Sequence, residues 1–315
     1  MQTFSQSQML LSIFGAPKLT MNDFAAVSEQ TAFIFFIIPV IVACAVLESI
    51  FLWRERKKEQ SLLKDAVANF ITGVGFLIST TSTRTIMFAL IIAIYNFTPW
   101  RQELNWWMFI PCYILHDFIS YWKHRISHHS RFWWSMHIPH HSSEHYNLWI
   151  NFRQSWFDQI NVLFYIPLLL FGFHPALYLI VHAVNPLFQF WVHTEKIGRL
   201  PRWIEYFFVT PTSHKVHHAS NEKYLDKNFG NAILIWDRMF GTYQDLDEQP
   251  VYGLTEPLKN NNAFHIVFDE ALDIIQDVTQ AKTFKEKMWM LFGSPGKIAK
   301  KKKLVGLINR NESSI

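Results

Sequence analysis

Apolar positions in this chain fall in long blocks rather than in the short alternations of a water-soluble fold. Residues 31–53 carry one charged side chain, Glu48, near the end of the block, and match the roughly 20 residues a helix needs to cross a bilayer. A second block, 66–97, is interrupted by Thr80-Thr-Ser-Thr-Arg84 and reads either as one long tilted helix or as a hairpin. The third, 105–122, extends as one helix from Asn105 to His129. Two more blocks, 147–171 and 173–194, form a pair of apolar helices turning at Phe171-Gly-Phe-His-Pro175, either crossing fully or folding back as a re-entrant hairpin. From about 196 the chain is water-facing or interfacial. Arg202 to Val209 and Phe284 to Phe292 have the pattern of amphipathic helices lying on a bilayer, and a short interfacial helix is expected around Met9 to Phe14. The pattern predicts an all-α integral membrane protein with about four to five membrane helices. Its divisions are a lead, 1–30, a membrane domain, 31–290, and a basic tail, 291–315.

Charge chooses between the two readings of the second block. Arg54-Glu-Arg-Lys-Lys58 and the run Lys300 to Lys303 mark a cytoplasmic face and attraction to anionic lipid. One crossing by 66–97 leaves Arg101 outside and brings the next helix inward, so that Lys123, Arg125 and Arg131 fall on the positive side. A hairpin would reverse them, so one long helix is expected, with the polar segments forming a cytoplasmic cap. Half of the residues are hydrophobic and 17% are charged, as in a membrane protein with a substantial water-facing part. Cys44 and Cys112 lie within apolar blocks and form neither a disulfide framework nor a thiolate site. No basic stripe suits nucleic acid, and no basic region precedes the first apolar patch, so no cleavable signal peptide is expected. Trp106, Trp107, Trp133, Trp134 and Trp289 read as interfacial anchors.

Histidine placement carries the chemistry. Eight of the fifteen histidines lie between His116 and His145. Two spaced sets occur there, His124-x-x-x-His128 and His137-x-x-His140-His141, and a third, His214-x-x-His217-His218, follows two apolar segments later. Residues three or four apart share a helix face, so each set aims two or three imidazoles at one point. Eight convergent imidazoles exceed the needs of one ion and predict two ions in a shared histidine cage. Imidazole suits iron, zinc, copper and nickel. The carboxylates Asp117, Glu144, Asp158, Glu195 and Asp226 are candidates to orient the rings by accepting their second N–H. The sets end apolar helices, where a lipid chain can reach the ions while its head group stays near water. An all-imidazole pair beside lipid fits O2 activation by iron and attack on an unactivated C–H bond.

The three sets resemble those of the fatty acid hydroxylase/sterol desaturase superfamily of membrane di-iron oxygenases. Longer strings resemble its alkylglycerol monooxygenase-like branch. These are His137-Ile-Pro-His-His-Ser-Ser-Glu-His-Tyr-Asn-Leu148, Arg153-Gln154-Ser155, Gln189-Phe-Trp-Val-His-Thr-Glu195, Thr210-Pro-Thr-Ser-His-Lys-Val-His-His218, Asp226-Lys-Asn228 and Ile235-Trp-Asp-Arg-Met-Phe-Gly-Thr242. The resemblance covers roughly 60–310. It implies metal ligation by His124, His128, His137, His140, His141, His214, His217 and His218, and adds His193 as a ninth ligand. The position a turn earlier, histidine in some relatives, is Gln189 here. The resemblance also implies two iron ions, with zinc able to occupy the site in a purified sample, and tetrahydrobiopterin as the external reductant of the animal branch members. Those members are longer, and this chain has no room for their additional C-terminal membrane segments. Glu144, Tyr146, Asn147 and Arg153 are candidates to contact substrate or reductant, or to brace the cage. His129 and His145 adjoin the sets without fitting them. His116 reads as a packing or outer residue, and His174, His182 and His265 as structural.

The expected function is hydroxylation of a lipid alkyl or acyl chain, or of a sterol-like ring, with O2 and an electron-donor protein or reduced cofactor. Desaturation by the same centre is the nearest rival, and the four-residue spacing of His124 and His128 leans toward hydroxylation. A metal carrier or sensor would spread ionisable residues along a membrane path, whereas these cluster at one face. A zinc hydrolase would carry His-Glu-x-x-His, which does not occur.

Overall fold

A computed structural model describes residues 15–23, 33–55, 59–258 and 260–312, which are helical apart from turns and two isolated bridges, Phe208 with Ile233 and Ala219 with Tyr252. The expected helix around Met9 to Phe14 lies outside the described residues. Helix α1, Phe33–Glu55, and α2, Gln60–Phe97, come first. At 1.5 Å per residue, 23 and 38 residues span about 35 and 57 Å. These two are long and apolar enough to cross a membrane among the described residues. Their apolar side chains face outward, Phe36 at 80% exposure and Ile78 at 63%, the inverse of a helix in a water-soluble core. The block 66–97 is therefore one helix, and it extends six residues further toward the N-terminus than its apolar boundary.

Helix α3, Phe109–His129, follows a 3-10 turn at Trp106–Met108, where Asn105 accepts from the Trp107 N–H. The regular helix thus begins four residues later than expected. Ser130 is extended (φ −126°, ψ 121°) and breaks the helix before α4, Arg131–His141. One residue of strand-like backbone is what turns the second histidine set across the end of the first.

The block 147–171 is not a membrane helix. It folds as 3-10 turns at Leu148–Phe152 and Asp158–Tyr165, then the short α5, Ile166–Leu170. Its polar residues explain this. Asn147 caps the first turn by accepting from Trp149 N at 3.0 Å, Ser155 Oγ accepts from Phe157 N, and Asp158 accepts from Asn161; such side chains favour turns over helix interiors. Helix α6, Pro175–Phe190, is capped by His174 and has 16 residues, about 24 Å. Neither limb forms a continuous helix of the roughly 20 residues a bilayer requires. The limbs pack back on the bundle through Leu168, Leu169, Phe173, Leu177 and Val181, against Ile91 of α2 and Cys112 of α3.

The cap comprises α7, Arg202–Phe207, α8, Pro211–His218, α9, Ile235–Met239, α10, Ala263–Gln280, α11, Phe284–Phe292, and α12, Pro295–Glu312. Exposed Trp203, Phe207, Phe284 and Trp289 lie on the two helices expected to be amphipathic. The basic end is docked: Ile298 is buried, and Lys302 pairs with Asp277 at 2.9 Å. Helix α4 is tied to α10 by Arg131, whose Nε meets Glu270 and whose Nη1 meets Asp277, each at 2.6 Å. Arg131→Met leaves Glu270 enclosed without a counter-charge. Breaking a buried pair costs about 3–5 kcal/mol. The loss here should fall at the low end, because Lys302 still reaches Asp277. Thermal unfolding in detergent should show a melting temperature lower by several degrees, and Lys302→Met should cost less.

Candidate metal centre

Four elements bring nine histidines together. Helix α3 supplies His124 and His128, α4 supplies His137, His140 and His141, α8 supplies His214, His217 and His218, and the turn after α6 supplies His193. Helix α8 forms where it does because Pro211 occupies its first turn and Thr210 and Ser213 make a reciprocal capping box. The nine sort into two groups: His124, His128, His137, His141 and His217, and His140, His193, His214 and His218. Within each group the ligand atoms lie within 4.8 Å of one another. Adjacent histidines divide between groups, His140 from His141 and His217 from His218, and the His141 and His218 rings stack at 4.4 Å across the boundary.

Hydrogen bonding fixes much of the protonation. His124 Nδ1 lies 2.9 Å from the Phe229 carbonyl, His217 Nδ1 2.9 Å from that of Lys227, and His193 Nδ1 2.7 Å from that of Gln189. A carbonyl only accepts, so these Nδ1 atoms carry the protons and the three Nε2 atoms present lone pairs. In the first group Nε2 atoms follow one another at short range: His124 to His137 at 2.8 Å, His137 to His141 at 3.0 Å, and His141 to His217 at 3.1 Å. With both ends acting as acceptors, neutral rings can satisfy the outer two contacts but not the middle one. In the second group His193 Nε2 faces His214 at 2.9 Å and His140 at 3.1 Å. His128 Nε2 and His218 Nε2 are buried with no protein partner. A cation within each group resolves every one of these contacts. Two nitrogens about 2.1 Å from one ion, at right angles, lie about 3 Å apart, which is the spacing present.

The rings are held neutral. Burial, reinforced by neighbouring imidazoles, pushes the pKa values of His124, His137, His140, His141, His214, His217 and His218 well below the ordinary histidine value. Burial brings His193 down to about 4. His128 is lowered less, since Asp226 at 3.5 Å opposes its burial. Neutral imidazole is the form that binds metal.

Backbone carbonyls orient His124, His193 and His217, and Asp226 faces His128. Asp226 Oδ1 lies 3.5 Å from His128 Nδ1. Asp117 instead accepts from the Ala232 and Ile233 N–H groups at 2.8 and 3.3 Å and from Trp236 Nε1 at 2.8 Å, and it acts on the loop that carries Phe229. Asp158 holds Asn161, the Glu195 carbonyl accepts from Lys215, and Glu144 is exposed. Two positioning residues lie inside strings singled out above without a role. Asp237 accepts from the Phe229 and Gly230 N–H groups, each at 2.7 Å. Asn228, at φ 56°, donates to the Ser213 and Gln244 carbonyls. A carbonyl has no signature in a sequence, so the side chains that shape its loop were the only available signal.

Two of the contact candidates, Arg153 and Tyr146, brace the cage. The Arg153 side chain is fully buried. Its Nε donates to Pro139 O and Ser142 Oγ, its Nη1 to Asp65 and Asn69, and its Nη2 to Asn261. It clamps the histidine-bearing end of α4 to α2. Tyr146 donates to the Val192 carbonyl at 2.8 Å, with its ring 5.4 Å from His218, and Asn147 is the turn cap already described. Trp134, expected at the interface, lies against the His128 and His141 rings at 5.1 and 5.7 Å. The remaining histidines lie elsewhere: His129 on the Arg125 carbonyl, His145 on Ser61, His265 on Asp269, and His116 with His182 inside the bundle. Gln189 bonds the Asn231 carbonyl rather than the cage.

Residues 109–242, which contain all nine histidines, match the family model described as fatty acid hydroxylase. Over these residues the chain is similar to that family, and the similarity together with the histidine clusters points to an iron centre. Its curated relatives include the alkylglycerol monooxygenases of Homo sapiens, 32% identical over 94% of this chain and 66% of the relative, and of Xenopus tropicalis, 32% over 85% and 59%. That of Danio rerio is 29% identical over 87% and 62%. The chain thus spans about three-fifths to two-thirds of the length of these relatives. No solved structure matches it.

Arg153→Met should lower both thermal stability and bound metal per chain, although Arg153 touches none of the nine histidines. Arg153→Lys should recover only part of the loss, because an ammonium cannot reproduce five directed donors. Metal analysis of the purified variants checks this.

Proposed function

We propose that the chain is a membrane-bound, O2-dependent lipid monooxygenase whose two histidine groups each hold one iron ion. The observation that supports it is the division of nine neutral imidazoles into sets of five and four with their lone pairs convergent. No carboxylate or thiolate enters either set, which favours imidazole-binding metals over magnesium, calcium or an iron–sulfur cluster. When bound, an iron pair supplies the activation of O2 needed for attack on an unactivated C–H bond.

The protein's own part is to bind and to exclude. Carbonyls of Gln189, Lys227 and Phe229 hold three Nδ1 protons outward, so that Nε2 faces the ions. Burial of His140, His141, His193, His214, His217 and His218 keeps bulk water from the centre. The outward apolar surfaces of α1 and α2 support a position for it beside lipid. The basic cluster after α1 supports a cytoplasmic face for the cap. The substrate is a lipid alkyl or acyl chain or a sterol-like ring, and the electrons come from a donor protein or a reduced cofactor. Tetrahydrobiopterin rests on the resemblance alone. Arg153 and Tyr146 brace elements that carry the cage.

Lipid profiling of cells with and without the full chain tests the reading. A lipid should gain one oxygen only when His140 and His217 are intact. Loss of two hydrogens would favour desaturation, and unchanged lipids with altered cellular metal would favour a carrier. In the purified protein, His137→Ala should remove metal chiefly from the five-histidine group, and His214→Ala from the four-histidine group.

A further inference from the structure

Away from the cage, the bundle encloses a second polar feature. A cavity of about 240 Å³ lies between α2, α3, α6 and the 158–165 turns. Three charged side chains line it: Arg84 from the middle of α2, Lys123 from α3, and Asp158. Thr80, Thr83 and Gln159 add neutral hydrogen-bonding groups, with the Gln159 amide 2.9 Å from the Thr80 hydroxyl. The same helix, α2, adds apolar lining from Phe76, Met87, Phe88 and Ile91. Ionisable side chains inside a membrane protein are costly and mark functional sites. Here two cations face one carboxylate, so the lining carries a net charge of +1. The Lys123 ammonium has no hydrogen bond or ion pair at bonding distance among the described residues; Asp158 and Tyr165 act on it only through their field. Lining of this kind is satisfied by one negative charge. The volume is below that of pockets for drug-sized ligands and has no room for two acyl chains.

We propose that this cavity binds the oxyanion head, carboxylate or phosphate, of a single-chain amphiphile. Lys123 and Arg84 are its counter-ions, and Phe76, Met87, Phe88 and Ile91 take the first methylenes of the chain. Lys123 immediately precedes His124, so an occupant sits against the helix that carries the first histidine set. The assignment concerns occupancy and stands apart from turnover.

Equilibrium binding of radiolabelled oleate to the full chain, in nanodiscs of neutral lipid, tests it. Monoolein, the same chain without a charge, and inorganic phosphate serve as comparison probes. Oleate should bind saturably, and at least tenfold more weakly in Lys123→Gln and Arg84→Gln. Arg84→Lys, which keeps the charge, should retain most of the affinity, and Lys223→Gln, on the exposed cap, should leave binding unchanged. Equal oleate affinity in the two neutralised variants, or monoolein binding as tightly as oleate, would overturn the proposal. Displacement by millimolar phosphate with the same dependence on Lys123 would assign the site to a free oxyanion and remove the amphiphile. A diazirine fatty acid photo-crosslinked to the unmodified protein needs no variant. Label between Phe76 and Ile91 supports the site, and label confined elsewhere sinks it. Binding is read without oxidation, so failure here leaves the monooxygenase reading standing.

Discussion

Four imidazole nitrogens in a row, with lone pairs at both ends, cannot all be joined by protons. That constraint governs the molecule. His124 and His217 are committed as acceptors by the carbonyls behind them, and burial denies the rings the protons that would relieve the contact. Positive charge has to be supplied from outside the polypeptide. The rest of the fold can be understood as scaffolding that keeps this unfavourable arrangement from relaxing.

The scaffolding is mostly indirect. Asp117 and Asp237 touch no imidazole, yet between them they bind six donors, five in the 229–236 segment and the Thr242 hydroxyl, and so fix where the Phe229 carbonyl points. Arg153 acts at the opposite side and joins the end of α4 to a membrane helix through Asp65 and Asn69. Buried charge of this kind adds little net stability but penalises misplacement severely. It suits a site whose function depends on position to within fractions of an ångström.

What could be read from the sequence was local or statistical. Spacings of three and four placed each histidine set on one face, because helix geometry requires it. Charge parity resolved 66–97 as one helix, since a hairpin would have inverted Lys123 and Arg125. The Phe284–Phe292 helix emerged from its periodicity with the bounds observed. The failures share a cause. Apolarity of 147–171 measures preference for lipid or core but not backbone geometry, and Asn147, Ser155 and Asp158 were turn formers hidden in an apolar average. The carboxylates were proposed as ring partners because side-chain acceptors can be counted in a sequence. The carbonyls of Gln189, Lys227 and Phe229 cannot, and they took that role.

The division of neighbouring histidines between groups has a thermodynamic consequence. Helix α4 contributes to both groups through His140 and His141, and α8 through His217 and His218. An ion bound in either group would therefore hold helices that the other group also needs. The ordering entropy is spent once, and the second ion meets ligands already fixed in place. Loss of an ion from one group would therefore loosen, without emptying, its neighbour.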